Sequence, residues 1–283
     1  MSETQAITQD QQGPKDRWIE TPKGRLFARS WGPDVPQGAA SAMSAAAARR
    51  APILLLHDSL GCVALWGAFP QTLARATNRR VIAYDRAGFG ASGARTDRLT
   101  ASFVRDEARH DVPALCEQLG IDRFVAFGHS VGGGMAIECA AQHPQRCAAL
   151  VTEAAQTFAE DRTLAGIRAA REQFRDPAQF ARLVRYHGEK TQWVLDAWIE
   201  TWLSPEFADW SLDTVLPRVE CATLAIHGSL DEYGTRVHPE TIAARVSGPA
   251  RAAIMDGVRH VPHREQEAQV AAMVAEFLQG VEG

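Results

Sequence analysis

A serine between two glycines is the residue of this chain best suited to act as a nucleophile. Ser130 lies in the run Gly128-His-Ser-Val-Gly132. The apolar stretch before it and the small residues after it predict a strand, a sharp turn and a helix. Glycines on both sides leave room for a backbone too tight for β-carbons. Such a turn would raise the hydroxyl above the sheet, at a helix N-terminus whose free amides favour negative charge.

A serine hydroxyl needs a base to react near neutral pH, and two histidines late in the chain are candidates. His260 follows the last apolar run directly, and His263 comes soon after it. An imidazole can accept the serine proton and return it to the leaving group. The position of His260 immediately after a strand favours it, because His263 is expected in the first turn of the last helix.

A carboxylate bonded to the second ring nitrogen of the histidine would fix its tautomer and stabilise the imidazolium. Asp231, directly after a predicted strand, is the favoured residue. Its neighbour Glu232 and the more distant Glu153, at the end of the strand after Ser130, remain alternatives. Asp256 precedes a glycine and is interpreted as a turn residue.

Composition indicates an ordinary globular protein. The 283 residues could form one large domain or two smaller ones, with 46% apolar and 23% charged residues. A net charge of −4 gives no reason to expect nucleic acid or an acidic membrane as partner. No stretch approaches the roughly 18 apolar residues needed to cross a bilayer. The five scattered cysteines are interpreted as reduced cytosolic thiols, mostly buried; Cys62, beside a motif described below, could be more exposed. We therefore expect a cytoplasmic protein; the sequence is silent on oligomeric state.

Most of the chain alternates between strand and helix patterns. Short apolar runs predict strands buried on both faces of a parallel sheet, at 53–56, 81–84, 124–127, 148–151, 222–226 and 252–255. Helical patterns between them span 65–76, 102–119, 133–142, 240–246 and 265–278. This alternation predicts right-handed crossovers and a doubly wound, mostly parallel α/β sheet.

The N-terminal part departs from this alternation. Residues 1–16 are expected to be disordered. Residues 17–31 predict two strands joined by a turn at 21–24. The alanine-rich stretch 33–50 lacks an amphipathic face, so it is expected to form a mobile surface loop or a short exposed helix.

Residues 154–219 contain helical patterns at 162–174, 178–187 and 192–202 and no strand-like run. Four of the seven tryptophans fall there: Trp193, Trp198, Trp202 and Trp210. They could form the core of a helical subdomain, or line a cap over an active site. Insertion between two successive strands favours a cap. The expected domains are therefore an α/β core of residues 17–153 and 220–283, with a helical cap between them.

Five motifs in this order resemble the α/β-hydrolase fold family, over nearly everything from about Trp18 onward. They are His57–Gly61 (similar to an H-G-x-x-G oxyanion loop), Asp85–Ser92, and the segments around Ser130, Asp231 and His260. The resemblance implies the chain order nucleophile, acid, histidine. The sequence has no His, Cys and Asp cluster at metal-ligand spacing and no glycine-rich phosphate loop after a first strand, so catalysis is expected to need no cofactor or metal. The resemblance implies that His57, at the end of a strand, packs under the oxyanion loop, and His129 is interpreted as a structural or pocket-shaping residue.

An oxyanion hole needs two backbone N–H groups aimed at the developing charge. The resemblance implies Val131 for one, and Ser59, with Leu60 as second choice, for the other. Asp58 departs from the family pattern by replacing a glycine. A carboxylate there would oppose the oxyanion, so Asp58 is expected to turn away into hydrogen bonds or to bind a substrate group. The loop from Ser59 to Trp66 is similar to that of enol-lactone hydrolases.

The expected function is a serine hydrolase for a small or medium carboxylic ester, lactone or thioester. The same scaffold could serve carbon–carbon bond hydrolysis, acyl transfer, perhydrolysis or cofactor-free oxygenation, or a non-catalytic receptor. Candidate residues of the pocket for this small-molecule substrate are Leu60, His129, Trp193, Trp198 and Trp202. Aromatic walls would suit an apolar substrate part.

Overall fold

An eight-stranded sheet organises the molecule. The computed structural model describes residues 13–32 and 50–282. The strands are β1 (Lys15–Thr21), β2 (Gly24–Trp31), β3 (Ile53–Leu56), β4 (Val81–Tyr84), β5 (Phe124–His129), β6 (Cys147–Glu153), β7 (Thr223–Gly228) and β8 (Ala250–Met255). Their order in the sheet is β1-β2-β4-β3-β5-β6-β7-β8. The pairs β1–β2 and β2–β4 are antiparallel, and all other pairs are parallel.

Helices cover both faces of the sheet, as the α/β alternation predicts. They are α1 (Phe69–Thr77), α2 (Phe103–Asp106), α3 (Val112–Gln118), α4 (Val131–Gln142), α5 (Asp161–Gln173), α6 (Pro177–His187), α7 (Thr191–Trp202), α8 (Val237–Arg245), α9 (Pro262–Glu265) and α10 (Glu267–Glu282). A π-helical turn, Glu107–Asp111, joins α2 to α3. Alternate residues of β3 enter opposite cores: Leu54 packs in the core that contains α4, and Leu55 in the core that contains α1 and α10. The doubly wound α/β fold is thereby confirmed.

The edge strand β8 corrects one expectation. The apolar run at 252–255 predicts a strand buried on both faces, yet β8 is exposed along most of its length, and Ile254 retains 37% of its accessible surface. It pairs with β7 alone among the described strands, so one edge and part of its faces remain open. Cys62 also differs from expectation, because it is 1% exposed and burial raises the pKa of its thiol to about 12.

The N-terminal predictions are only partly within the described residues. β1 begins at Lys15, slightly before the predicted start, and its Asp16 accepts hydrogen bonds from Arg29 on β2 at 2.6 and 2.8 Å. Disorder is expected for residues 1–16, but Lys15 and Asp16 belong to the paired strand β1, so the expectation is wrong for these two residues. Residues 1–12 and the alanine-rich segment 33–49 lie outside the described residues.

A helical segment between β6 and β7 contains α5, α6 and α7; it is called the helical insertion below. An isolated β-bridge between Phe158 and Ser211 joins its two ends. Trp202 packs against Phe207 and Trp210, with ring centroids 5.0 and 5.6 Å away. Across the described parts of the chain, no helix is both long and apolar enough for a membrane crossing.

Candidate active site

The turn between β5 and α4 holds Ser130 in a strained backbone conformation. Its φ is 55° and its ψ −124°, values that residues with a side chain rarely adopt. A β-carbon at Gly128 would lie 1.9 Å from the carbonyl oxygen of Gly132. One at Gly132 would lie 2.2 Å from the carbonyl oxygen of Leu56. The two glycines are therefore required by backbone contacts, as the G-x-S-x-G pattern predicts.

Ser130, His260 and Asp231 lie in one hydrogen-bonded chain. Ser130 Oγ is 3.0 Å from His260 Nε2. His260 Nδ1 is 2.9 Å from both carboxylate oxygens of Asp231. All three residues are buried. This order of contacts fits an imidazole that donates from Nδ1 to the carboxylate and accepts the serine proton at Nε2.

Local backbone amides hold the Asp231 carboxylate in place. The N–H groups of Tyr233 and Gly234 donate to Asp231 Oδ1 at 2.7 and 3.1 Å. Burial raises the pKa of Asp231, but the hydrogen bond and charge of His260, with smaller contributions from His227 and Tyr233, outweigh it and lower the pKa overall. Asp231 is therefore ionised at neutral pH.

The pKa of His260 moves in the opposite direction. Burial lowers it, but the hydrogen bond and charge of Asp231 outweigh burial, and the charges of Asp58 and Glu232 add to that effect. The net result is a pKa raised above the ordinary histidine value. The imidazolium that forms when His260 takes a proton is thus stabilised by its surroundings.

The rival histidine and one rival carboxylate pair with each other. His263 Nδ1 lies 2.8 Å from Glu153 Oε2, and the His263 amide donates to the other oxygen of Glu153 at 2.5 Å. Both residues are buried. The other alternative, Glu232, accepts a hydrogen bond from the backbone N–H of His260 at 3.3 Å, its one hydrogen bond among residues 13–32 and 50–282. Neither carboxylate takes the place of Asp231 beside the His260 ring.

His129 and Asp58 lie behind the His260 loop. His129 Nε2 is 2.8 Å from the carbonyl oxygen of His260, and its Nδ1 is 3.7 Å from Asp58 Oδ2. The other carboxylate oxygen, Asp58 Oδ1, is buried and has no hydrogen-bond partner among the described residues. Asp58 thus faces His129, and the hydrogen bonds expected for its carboxylate are absent at Oδ1. His129 is 2% exposed, nearly as buried as Asp231 beside His260.

The candidate oxyanion donors are Val131 and Ser59. Val131 is the first residue of α4, so its N–H has no acceptor within the helix. Ser59 lies in a turn closed by the Gly61 N–H, which donates to the Asp58 carbonyl at 3.3 Å. Within residues 13–32 and 50–282, neither Val131 nor Ser59 has a protein acceptor for its N–H. Both amides are therefore available to bind a ligand oxygen.

The tryptophans predicted to line a pocket lie at different distances from the site. Trp198 packs against Tyr233 at 6.1 Å between ring centroids, and Tyr233 packs against His260 at 4.8 Å. Trp193 instead lies on the turn after β4 and donates to the carbonyl oxygen of Asp97 at 3.0 Å. Trp202 belongs to the interior of the helical insertion. Trp198 is thus linked to His260 through one intervening ring.

Two residues that the sequence did not single out lie at the site. Gln156 is 2% exposed, and its Oε1 is 3.5 Å from Ser130 Oγ. The Tyr233 ring packs at a tilt against the His260 ring, with centroids 4.8 Å apart. Gln156 follows β6 in a segment without a motif, so no local pattern could have indicated it. Tyr233 comes two residues after Asp231, where its proximity to the site could have been suspected.

The helical insertion touches the oxyanion loop and the turn after β4. His187 Nε2 lies 3.0 Å from the carbonyl oxygen of Leu60, and its Nδ1 accepts from the Gly90 N–H at 3.0 Å. Lys190 Nζ donates to three carbonyls of that turn, the nearest that of Ser92 at 2.5 Å. Asp85 closes the turn by accepting from the Ala91 N–H at 2.6 Å. These contacts place the insertion at the end of the sheet where Ser130 lies.

The fold and this site define an α/β-hydrolase, and comparison with known proteins agrees. The family model described as alpha/beta hydrolase fold matches residues 51–210. The chain belongs to this family. In the part of the chain that the structure describes, no group of three or more His, Cys, Asp or Glu side chains could hold a metal ion.

Curated relatives match only part of the chain. A "Putative non-heme haloperoxidase" of Mycobacterium phage D29 is 40% identical over 103 residues, 36% of this chain and 34% of that protein. The 2-hydroxymuconate semialdehyde hydrolase of Pseudomonas sp. (strain CF600) is 34% identical over 101 residues, 35% of each chain. The chain thus spans about a third of the length of these relatives.

Solved structures match over nearly the whole length. A thermophilic esterase from Thermogutta terrifontis has a TM-score of 0.71 at 19% identity, over 95% of this chain and 100% of that one. The enol-lactonase from Burkholderia xenovorans LB400 has a TM-score of 0.69 at 20% identity, over 93% and 100%. At these identities the likeness concerns the fold.

Proposed function

We propose that this protein is a serine hydrolase that cleaves a small or medium carboxylic ester, lactone or thioester. The observation that carries the proposal is the continuous chain of contacts from Ser130 Oγ through His260 to Asp231, at 3.0 and 2.9 Å. Its geometry matches what nucleophilic catalysis by a serine requires. The oxyanion-loop similarity and the esterase and lactonase structural neighbours favour ester and lactone substrates.

Acylation begins when His260 Nε2 takes the hydroxyl proton as Ser130 Oγ attacks the carbonyl carbon. The resulting oxyanion accepts hydrogen bonds from the amides of Val131 and Ser59. The bond to the leaving oxygen or sulfur then breaks, and the His260 imidazolium gives its proton to that atom. Asp231 stabilises the imidazolium throughout, since it is buried, ionised and bonded to Nδ1.

Deacylation repeats the sequence with water. His260 takes a proton from water as its oxygen attacks the acyl carbon, and the bond to Ser130 Oγ breaks as His260 returns the proton to the serine. The products are a carboxylic acid and an alcohol or thiol; a lactone gives a single hydroxy acid. Each step uses groups of this chain and one water molecule.

The helical insertion, residues 154–219 in the domain boundaries expected above, would serve as a cap over this site. Support comes from the His187 contact with the Leu60 carbonyl and from the ring series Trp198, Tyr233, His260. Trp198 and Leu60 would then contact the apolar part of the substrate. A small-molecule substrate enclosed in this way is shielded from bulk water, which strengthens the electrostatic contacts of the oxyanion hole.

A fluorophosphonate probe tests the nucleophile directly. Wild type should become covalently labelled on Ser130 and lose activity toward p-nitrophenyl butyrate, whereas Ser130→Ala should be neither labelled nor active. Ser247→Ala, at an exposed serine outside the site, is the matched control and should behave as wild type. Unlabelled wild type, or labelling that persists in Ser130→Ala, would contradict the proposal.

Perhydrolysis is a second candidate, favoured by the 40% identity to the haloperoxidase-named relative. Hydrogen peroxide would replace water in deacylation and release a peracid in place of the acid, with Ser130 regenerated in the same way. Product analysis by mass spectrometry at increasing peroxide distinguishes the two. Carboxylic acid as the sole product at every peroxide concentration would exclude this second candidate.

A further inference from the structure

The carbonyl oxygen of Asp58 is bound by three donors. His57 Nδ1 lies 2.8 Å from it, Arg86 Nη2 donates to it at 2.8 Å, and the Gly61 N–H donates at 3.3 Å. Carbonyl oxygens have two lone pairs, so this acceptor is fully used. The concentration of donors on one backbone atom of the oxyanion loop distinguishes this carbonyl from an ordinary turn carbonyl.

Arg86 also contacts His57 through its backbone, and this contact identifies which ring nitrogen of His57 carries the proton. The backbone N–H of Arg86 donates to His57 Nε2 at 3.1 Å. Since Nε2 accepts, the single proton of a neutral imidazole is on Nδ1, where it is donated to the Asp58 carbonyl. Burial, followed by the charge of Arg86, holds the pKa of His57 well below its ordinary value, so the ring stays neutral.

The bound carbonyl belongs to the same peptide unit as the Ser59 N–H. A trans peptide is planar, and its N–H points away from its C=O. Donors that hold the Asp58 oxygen therefore fix the direction of the Ser59 N–H. A cation bonded to the oxygen also draws electron density from the amide nitrogen, which makes the N–H a stronger donor.

Burial and packing against Phe89 keep the Arg86 side chain in its contact with the Asp58 carbonyl. It is 3% exposed, and its guanidinium lies 4.1 Å from the Phe89 ring centroid. Among residues 13–32 and 50–282, no carboxylate forms an ion pair with the Arg86 guanidinium, and its Nε has no hydrogen-bond partner. Glu107 and Asp58 supply negative charge from farther away. Burying a cation costs stability unless its charge is compensated. The guanidinium of Arg86 bonds the carbonyl oxygen of Asp58. An effect on the Asp58–Ser59 peptide would explain why a cation is buried at this place.

The geometry points to Arg86 as a positioning residue of the oxyanion hole: through the Asp58 carbonyl it orients and polarises the peptide unit whose Ser59 N–H receives the oxyanion. This inference rests on the proposed serine-hydrolase function. Arg86 belongs to the Asp85–Ser92 motif, so this turn would take part in the chemistry as well. In this role Arg86 acts through the Asp58 carbonyl and the Ser59 N–H.

The test compares Arg86→Met and Arg86→Lys with Arg79→Met, a control at another buried arginine, which donates to the Ala51 carbonyl at 2.6 Å. For each variant we would measure the second-order rate constant for fluorophosphonate labelling of Ser130. The turnover of p-nitrophenyl butyrate is divided by the number of sites that can be labelled when the labelling reaction is complete. The third measurement is the inhibition constant of butylboronic acid and that of butyramide. The boronic acid forms a tetrahedral adduct whose oxygen occupies the oxyanion hole, whereas butyramide reports ground-state binding.

Arg86→Met should slow labelling and turnover per site by about 10- to 100-fold, less than the loss of a whole oxyanion donor. Its inhibition constant for butylboronic acid should rise by a similar factor, while that for butyramide stays within about twofold. Arg86→Lys retains a cation with a single contact point. Its labelling rate, turnover per site and inhibition constant for butylboronic acid should lie between those of Arg86→Met and wild type. Arg79→Met should match wild type per labelled site.

Two results would overturn the inference. One is turnover per labelled site within about threefold of wild type in Arg86→Met, because a purely structural arginine changes the number of active molecules and not their reactivity. The other is equal weakening of boronic acid and butyramide. If Arg86→Met yields no folded protein, the same criteria apply to Arg86→Lys. Absence of labelling in wild type would instead contradict the proposed function itself.

Discussion

His263 and Glu153 form a buried pair of their own, with His263 Nδ1 2.8 Å from Glu153 Oε2. The pair lies beside the Ser130, His260 and Asp231 contacts, and His129 connects the two groups, with ring centroids 5.0 Å from His263 and 5.2 Å from His260. Two histidine–carboxylate pairs thus come from neighbouring segments. Only one of them reaches the serine, so the two carboxylates should respond differently to substitution.

Replacement of the two carboxylates should separate catalysis from stability. Asp231→Asn should lower kcat by about 10⁴-fold, because the amide no longer supports the correct imidazole tautomer. Glu153→Gln should change kcat by less than about tenfold but reduce the free energy of unfolding by about 3 kcal/mol, since it breaks a buried pair. Steady-state kinetics and urea unfolding measure both. A larger kcat loss in Glu153→Gln than in Asp231→Asn would reverse the assignment of the acid.

The activity should depend on pH through His260. Its pKa is raised above the ordinary histidine value of about 6.5, and the base must be neutral to accept the serine proton. The kcat/KM should therefore fall as pH decreases, with a midpoint above about pH 6.5. Residual activity of Asp231→Asn should show a midpoint at lower pH, because burial remains while the raising effect of Asp231 is lost. A midpoint that does not move would exclude Asp231 as the cause.

His129 should make the fold sensitive to acid. Burial, and then the charge of His263, lower the pKa of His129 to about 4. Between about pH 6.5 and 4 the unfolded chain binds a proton at this residue that the folded chain does not. The free energy of unfolding should therefore fall by up to about 3 kcal/mol over that range through this group.

The variant His129→Gln tests this, because glutamine can still donate to the His260 carbonyl but does not titrate. Its free energy of unfolding should fall less between pH 7 and 5 than that of wild type, as measured by urea unfolding. His110→Gln, at an exposed histidine, serves as the control and should retain the wild-type slope. Equal slopes in all three proteins would rule out the contribution of His129.

The glycines of the Ser130 turn should tolerate no side chain. Gly132→Ala would place its β-carbon 2.2 Å from the Leu56 carbonyl oxygen, so the backbone must shift. We expect a loss of about 3 kcal/mol and slower fluorophosphonate labelling. Gly280→Ala, in α10 with no atom within 4 Å of the added carbon, should leave labelling unchanged and stabilise by up to about 1 kcal/mol. Thermal unfolding of both variants provides the comparison.

Gln156 should matter for substrate recognition. Its carboxamide is buried and lies 3.5 Å from Ser130 Oγ, where an acyl or leaving group would pass. Gln156→Leu keeps the apolar volume but removes the hydrogen bond, so kcat/KM for the best substrate should fall by about tenfold. The melting temperature should change little. An unchanged kcat/KM across short esters, lactones and thioesters would show that Gln156 does not contact substrate.

The sequence by itself determined the order of the elements and the form of the Ser130 turn. A strand, a tight turn and a helix are local structures, so Gly128, Ser130 and Gly132 carry their signal within a few residues. The alternation of apolar runs with helical patterns indicated the doubly wound sheet for the same reason. Burial depends on which segments pack against a residue, and the local pattern does not contain this information. For this reason β8 is more exposed, and Cys62 more buried, than the sequence predicts.

Only the tertiary structure decided which side chains meet. Ser130 and His260 are 130 positions apart, and the choice between Asp231 and Glu153 depended on where β6 and β7 end relative to the His260 loop. The sequence did not indicate Gln156 or Arg86. They are assigned to the site because Gln156 Oε1 lies near Ser130 Oγ and Arg86 Nη2 lies near the Asp58 carbonyl oxygen. Hydrogen bonds act over about 3 Å, and distances of that size between remote segments are set by the packing of the sheet and its helices.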